Sequence, residues 1–101
     1  MNIRIKATKM ELTPAIKGYV QEKMDMLEKY LGNVLVRNCD VEVGLTVGGQ
    51  HHGKIFFCET NLNVPGTLLR VEKKEKNLYK AIDKVKDHLE RAIIKYKKKR
   101  K

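Results

Sequence analysis

Lys54-Ile55-Phe56-Phe57-Cys58-Glu59-Thr60-Asn61-Leu62-Asn63-Val64-Pro65-Gly66-Thr67-Leu68-Leu69-Arg70-Val71 decides the fold. Phe56, Cys58, Thr60, Leu62 and Val64 recur with a period of two and share one face. Ile55, Phe57, Glu59, Asn61 and Asn63 take the other. That alternation predicts a strand from about Lys54 to Val64. Pro65-Gly66 is a turn, because proline pre-sets one backbone angle and glycine tolerates the left-handed one that follows. Leu69 and Val71 then lie in a short strand beyond it. Upstream, Cys39, Val41, Val43, Leu45 and Val47 share one face, with Asp40, Glu42 and Thr46 on the other. Gly48, Gly49, His51, His52 and Gly53 join the two runs, and strands joined by a short glycine-rich loop form an antiparallel hairpin.

A helix flanks this sheet on each side in the sequence. From about Asn77 into the C-terminal tail, Leu78, Ile82, Val85, Leu89, Ile93 and Tyr96 repeat at three- and four-residue spacing, one apolar stripe on a helix. Near the N-terminus, Ile3, Ile5 and Ala7 alternate with Arg4, Lys6 and Thr8 in a half-buried strand. Thr13 caps a helix and Pro14 suits its first position. Ile16, Val20, Met24, Leu27 and Leu31 form its stripe, over about five turns, with Tyr19 and Tyr30 on the flank, until Gly32-Asn33 stops it. The order β-α-β-β-β-α implies an α+β fold: a four-stranded sheet with two helices packed on one face. The first two strands flank a helix, which suits a parallel pair joined by a right-handed crossover.

The 101 residues make one domain, with a basic tail at about 97–101. Apolar residues are 42% of the chain, enough for a single core without disulfides or metal. The two cysteines form no CxxC pair, which suits a reducing cytosol. Met1 to Lys6 alternates apolar and charged residues, unlike a secretory signal, and no stretch has the apolar length of a membrane helix. These features read as a soluble, cytoplasmic chain.

Charge is distributed unevenly. The net charge is +10, yet residues 1–50 hold 7 basic and 6 acidic side chains, against 15 and 6 in residues 51–101. A one-sided positive field attracts polyanions: RNA, DNA or an acidic membrane. On the last helix Lys84, His88, Arg91 and Lys95 fall on one flank, with Lys80 and Lys98 close by. Asp83 and Glu90 take the other flank, among Lys86 and Lys97. A row of like charges at helical spacing repels itself by a few tenths of a kcal/mol per pair, roughly. It is expected where something negative faces it; the plainer alternative is a solvated face whose lysine stems cover the edge of the core. Arg4, Lys6, Lys9, Arg70 and Lys73 could border the same surface. Few aromatics and no RNP-type motif point to recognition of phosphate and shape rather than base stacking.

Catalytic signals are absent from the sequence: no GxGxxG, no Walker loop, no GxSxG and no HExxH. His51-His52 would be half a metal site with Cys58 as a third ligand, but adjacent histidines in a glycine-flanked loop usually face solvent. Cys39 and Cys58 read as buried free thiols. No catalytic residue, cofactor, metal or small-molecule substrate is expected.

Thr13-Pro14-Ala15-Ile16-Lys17-Gly18-Tyr19-Val20-Gln21-Glu22-Lys23, continuing to Leu27-Glu28-Lys29-Tyr30, resembles the first helix of ribosome hibernation promoting factors. Leu78-Tyr79-Lys80-Ala81-Ile82-Asp83, followed by Leu89-Glu90-Arg91 and Lys95-Tyr96-Lys97, resembles their last helix, and the likeness covers nearly the whole chain. It implies a fold similar to a double-stranded-RNA-binding domain. It also implies a non-catalytic protein that binds rRNA of the small ribosomal subunit between head and body, in the mRNA and tRNA channel, and inactivates the whole ribosome under stress or in stationary phase. By the same resemblance Lys17, Lys23, Lys84, Arg91, Lys95 and Lys97 are RNA-facing positions, and His88 stands where the family often carries lysine, a departure that bears on this contact near neutral pH. With Lys98, these are the expected RNA-binding residues. The chain ends soon after its second helix, as a short form of the family would, and the resemblance leaves open whether a separate ribosome-dimerising protein is a further partner. The alternative is a general double-stranded-RNA-binding module.

Overall fold

The computed structural model describes residues 1–46 and 53–100. Val47, Gly48, Gly49, His51, His52 and the final Lys101 therefore lie outside the described residues, and with them the hairpin tip and its proposed metal ligands. The elements are β1 (Ile3–Thr8), α1 (Pro14–Asp25), α2 (Glu28–Leu31), β2 (Asn38–Leu45), β3 (Phe56–Val64), β4 (Thr67–Glu75) and α3 (Leu78–Lys99). The sheet order is β1-β2-β3-β4, with β1 and β2 parallel and the other pairs antiparallel. This is the expected four-stranded sheet with its helices on one face.

Local chemistry accounts for the boundaries. Thr13 Oγ1 accepts the amide of Ile16 at 3.2 Å, and Pro14 opens α1 behind it. Asn77 Oδ1 accepts the amides of Tyr79 and Lys80 at 2.9 and 3.3 Å, starting α3. Val64 pairs with Thr67 across Pro65-Gly66, and Gly66 sits at φ 84°, a backbone angle that glycine takes without steric cost. The first helix differs from its expected five continuous turns. The Leu27 amide reaches back three residues to Met24 at 3.0 Å, and this tightening separates α1 from α2. Residues 26 and 27 keep right-handed helical angles, so the buried stripe Ile16, Val20, Met24, Leu27, Leu31 runs through the break undisturbed. β4 is nine residues long, longer than its apolar pair Leu69 and Val71 implied. An edge strand accepts the charged run Glu72-Lys73-Lys74-Glu75, and those charges discourage pairing with another chain.

The core lies between sheet and helices. Cys39, Val41, Val43, Cys58, Leu62, Val64 and Val71 from the sheet meet Val20, Met24, Leu27, Leu78, Ile82, Val85, Leu89 and Ile93 from the helices. Both cysteines are free and buried, and burial pushes each thiol up to about 12, so neither is a ready nucleophile or ligand. Thr60 is the buried polar side chain of this core. Among the described residues its hydroxyl finds no partner beyond the weak one that the Cys58 thiol beside it offers. Thr60→Val should therefore raise stability, by about 0.5–1 kcal/mol, because an isosteric methyl removes a desolvated hydroxyl. A urea midpoint below that of the parent would refute this.

The other face of the sheet is open and polar. Arg4, Asp40, Asn61 and Arg70 form one rung across the four strands, and Lys6, Glu42, Glu59 and Glu72 form the next. Arg4 Nε donates to Asp40 Oδ1 at 2.6 Å and Arg70 Nη2 to Glu59 Oε2 at 2.6 Å. The Arg4 hydrogen bond holds the Asp40 carboxyl below its ordinary range. Gly44 is buried in β2, facing Thr8 on one side and Phe57 on the other; a Cβ there would stand 2.5 Å from the Thr8 carbonyl oxygen and 2.8 Å from the Phe57 ring.

Candidate nucleic-acid interface

α3 is the longest element, and its two flanks are used differently. One flank faces α1 and α2 and is satisfied by them and by carboxylates of α3 itself. Tyr19 donates its hydroxyl to Asp83 at 2.5 Å, the Lys23 ammonium stands 3.3 Å from the same carboxylate, and the Tyr19 and Tyr79 rings meet edge-on at 4.8 Å. Lys86 is held by Glu90 at 2.8 Å and by Asp87 at 2.9 Å, and its ammonium is pushed well above its ordinary value by those two carboxylates. Lys97 donates to the Tyr30 carbonyl at 3.0 Å, closing the C-terminal end of α2, where free carbonyls favour a cation.

The other flank runs along β4. Lys84, His88, Arg91 and Lys95 follow one another at the seam between helix and edge strand, as the helical spacing predicted. Lys84 is paired with Glu75 of β4 at 2.7 Å, which also lowers the Glu75 carboxyl. Arg91 and Lys95 are exposed and have no acidic partner among the described residues. Lys73 is half-buried on the helix-facing side of β4, close enough to His88 for its charge to be felt there. His88 is half-buried, its Nδ1 has no hydrogen-bond partner among the described residues, and burial first, then Lys73 and Arg91, lower its pKa from the ordinary 6.5. The imidazole is neutral at neutral pH, so it contributes no fixed charge to the row there.

That shift has a testable consequence for stability. The folded state disfavours protonated His88, whereas the unfolded chain takes up the proton at its ordinary pKa. Stability is thus unaffected above pH 6.5 and falls as the pH drops below it, levelling once the folded protein is itself protonated. His88→Gln should flatten this part of the urea-midpoint profile between neutral pH and about pH 5. An unaltered profile in the variant would show that other groups set it.

The remaining expected residues are dispersed. Lys17 is exposed on α1, on the far side of α3 from β4. Lys23 is largely covered, with 20% of its side chain accessible, and is engaged with Asp83. Lys97 and Lys98 line a shallow hollow with Lys29, Tyr30 and Ile94 on the α2 side. Residues 97–99 form the last turn of α3. One sequence expectation is corrected. Arg4, Lys6 and Arg70 do not border the α3 surface, because strand alternation puts them on the open face, where Asp40, Glu42 and Glu59 engage them. Lys73, two residues from buried Val71, does join it. Lys99 and Arg100 extend the row with Lys95 around a second hollow over Leu69 and Ala92. Their signal in the sequence was the four-residue spacing of Lys95 and Lys99; the strand beneath them was not visible there. Among the described residues no three His, Cys, Asp or Glu side chains are grouped to hold a metal ion, and no helix is long and apolar enough to cross a membrane.

Comparison with known proteins gives this arrangement its relatives. The family model described as sigma 54 modulation protein / S30EA ribosomal protein matches residues 3–101. A ribosome hibernation promotion factor from Deinococcus radiodurans is 36% identical over 89 residues, covering 87% of this chain and 44% of the relative. One from Bacillus subtilis is 33% identical over 99 residues, covering 98% of this chain and 50% of the relative. The chain thus spans about half the length of these two relatives. The crystal structure of the N-terminal domain of Thermus thermophilus protein Y superposes with a TM-score of 0.75 at 31% identity, covering 95% of this chain and 99% of that one. Matched over all but its first two residues and sharing this fold, the chain belongs to the sigma 54 modulation protein / S30EA ribosomal protein family.

Proposed function

We propose that this chain acts as a single ribosome-binding domain that regulates translation without catalysis. In this reading it binds rRNA of the small subunit in the mRNA and tRNA channel and holds the ribosome idle in the cytoplasm under stress or in stationary phase. The observation that carries it is the α3 flank along β4. Arg91 and Lys95 stand exposed and without carboxylate partners among the described residues, beside Lys73 and Lys84, whereas Arg4, Arg70, Lys23 and Lys86 are engaged by Asp40, Glu59, Asp83 and Glu90. Free cations in a row fit a phosphate backbone, whose contacts displace condensed counterions and make affinity fall steeply with salt. His88 lies within the row; Lys17, Lys23, Lys97 and Lys98 would reach RNA from the α1 and α2 side. Lys84, Lys23 and Lys97 would do so by exchanging or sharing their present partners. The names of the relatives support the hibernation role.

Co-sedimentation with small subunits and with vacant ribosomes tests the reading. Saturable binding near one copy per ribosome, lost when mRNA and tRNA fill the channel, is the expected result. Binding indifferent to mRNA and tRNA, and equalled by any A-form duplex, would leave only a general double-stranded-RNA-binding module.

A further inference from the structure

We propose that the hollow between the end of α3 and the start of β4 is a subsite for one unstacked nucleotide of the bound RNA. This rests on the RNA-binding reading above and adds to it a preference for single-stranded or bulged RNA over a continuous duplex.

The hollow has a volume of about 340 Å³ and a mostly apolar floor, made by half-buried Leu69 and Ala92 and by Tyr96. Its rim carries Lys95, Lys99 and Arg100. None of the three has a carboxylate partner among the described residues. Lys95 and Lys99 lie one helical turn apart on the same side. Arg100 is held in place: its Nη1 donates to the Tyr96 hydroxyl at 3.1 Å, and its guanidinium lies 5.5 Å from the centre of the Tyr96 ring. The Tyr96 hydroxyl in turn donates to the Pro65 carbonyl at 2.6 Å, so its polar end is already used and the ring contributes only apolar surface.

A mostly apolar floor bordered by three cations without carboxylate partners among the described residues fits a ligand that is flat and apolar in the middle and anionic at both ends. A nucleotide within a strand is such a ligand, with its base over Leu69 and Ala92, its flanking phosphates at Lys95 and Lys99, and the Arg100 charge beside it. An acidic peptide would satisfy the cations but leave the floor uncovered. A duplex keeps its bases stacked inside and would offer the hollow only its backbone.

The test uses the whole chain and a six-nucleotide RNA with 2-aminopurine at its centre, free and annealed to its complement. The fluorescence of the free strand should change on binding and that of the duplex should not. Ala92→Phe fills the hollow without altering charge. It should weaken single-strand binding about tenfold, the loss of one stacked base, and leave duplex binding within about twofold, since the phosphate contacts remain. The Leu69 and Ala92 methyl resonances of the parent chain should shift with the single strand and not with the duplex, a readout that holds if Ala92→Phe misfolds. If both RNAs bind but the fluorophore and those methyls are silent, the subsite is wrong and the RNA-binding reading stands. If neither the RNAs nor small subunits bind, that reading fails and the subsite falls with it.

Discussion

Arg91→Glu with Lys95→Glu should abolish binding to small ribosomal subunits and leave the fold intact. Both side chains are exposed and neither is engaged by a carboxylate of the described residues, so their replacement breaks no ion pair among them. The thermal midpoint should stay within about 3 °C of the parent, as for surface substitutions away from caps and cores. Charged hydrogen bonds contribute about 1.5–3 kcal/mol each. Losing two, and adding repulsion, should weaken binding by at least about a hundredfold. The slope of log affinity against log salt should also flatten by about two, one per phosphate contact. Lys6→Glu on the open sheet face is the control. Lys6 stands 3.9 Å from Glu42, away from α3, and its reversal should change ribosome binding little. Undiminished binding by the double variant would refute the assignment of this face.

Gly44→Ala should destabilise the protein by about 2–3 kcal/mol, close to the upper range for overpacking. For a domain of this size that corresponds to a midpoint lowered by about 8 °C or more. The added carbon would stand 2.5 Å from the Thr8 carbonyl oxygen and 2.8 Å from Phe57. The ring can turn aside, but the carbonyl belongs to the parallel ladder between β1 and β2, where Thr8 is paired with Gly44. Relief therefore requires β1 to move. Adding Phe57→Ala removes only the ring contact and should rescue Gly44→Ala only in part. Denaturation of the single and double variants measures this directly, and a Gly44→Ala midpoint equal to the parent's would refute the close approach.

Much of this was legible in the sequence because it depends on periodicity. Period-two runs located β2 and β3, three- and four-residue spacing located α1 and α3, and Thr13, Asn77 and Pro65-Gly66 marked boundaries by their own chemistry. The row Lys84, His88, Arg91, Lys95 followed from the helical repeat alone. What periodicity does not carry was missed. The break between α1 and α2 moves one hydrogen bond from four residues back to three and leaves the apolar stripe in phase. The second half of β4 is charged, so nothing apolar announced it. Lys84, Lys23 and Lys97 were expected to face RNA, but Glu75, Asp83 and the Tyr30 carbonyl that engage them come from other elements, which the sequence does not place beside them. Arg4 and Arg70 looked equally free until strand alternation set them on the open face.

The strand order β1-β2-β3-β4 follows the order of the chain, and this bears on how the molecule folds. β3 and β4 are joined by two residues, so their ladder closes with little loss of chain entropy, and α3 follows directly to cover it. β1 must wait for β2 across an intervening helix, its partners lying 36 residues along the chain, and such closures cost more and come later. The hairpin β3–β4 with α3 should therefore form the folding nucleus, and β1 should dock after the barrier. In stopped-flow experiments Val71→Ala should chiefly slow folding, whereas Ile5→Ala should chiefly hasten unfolding.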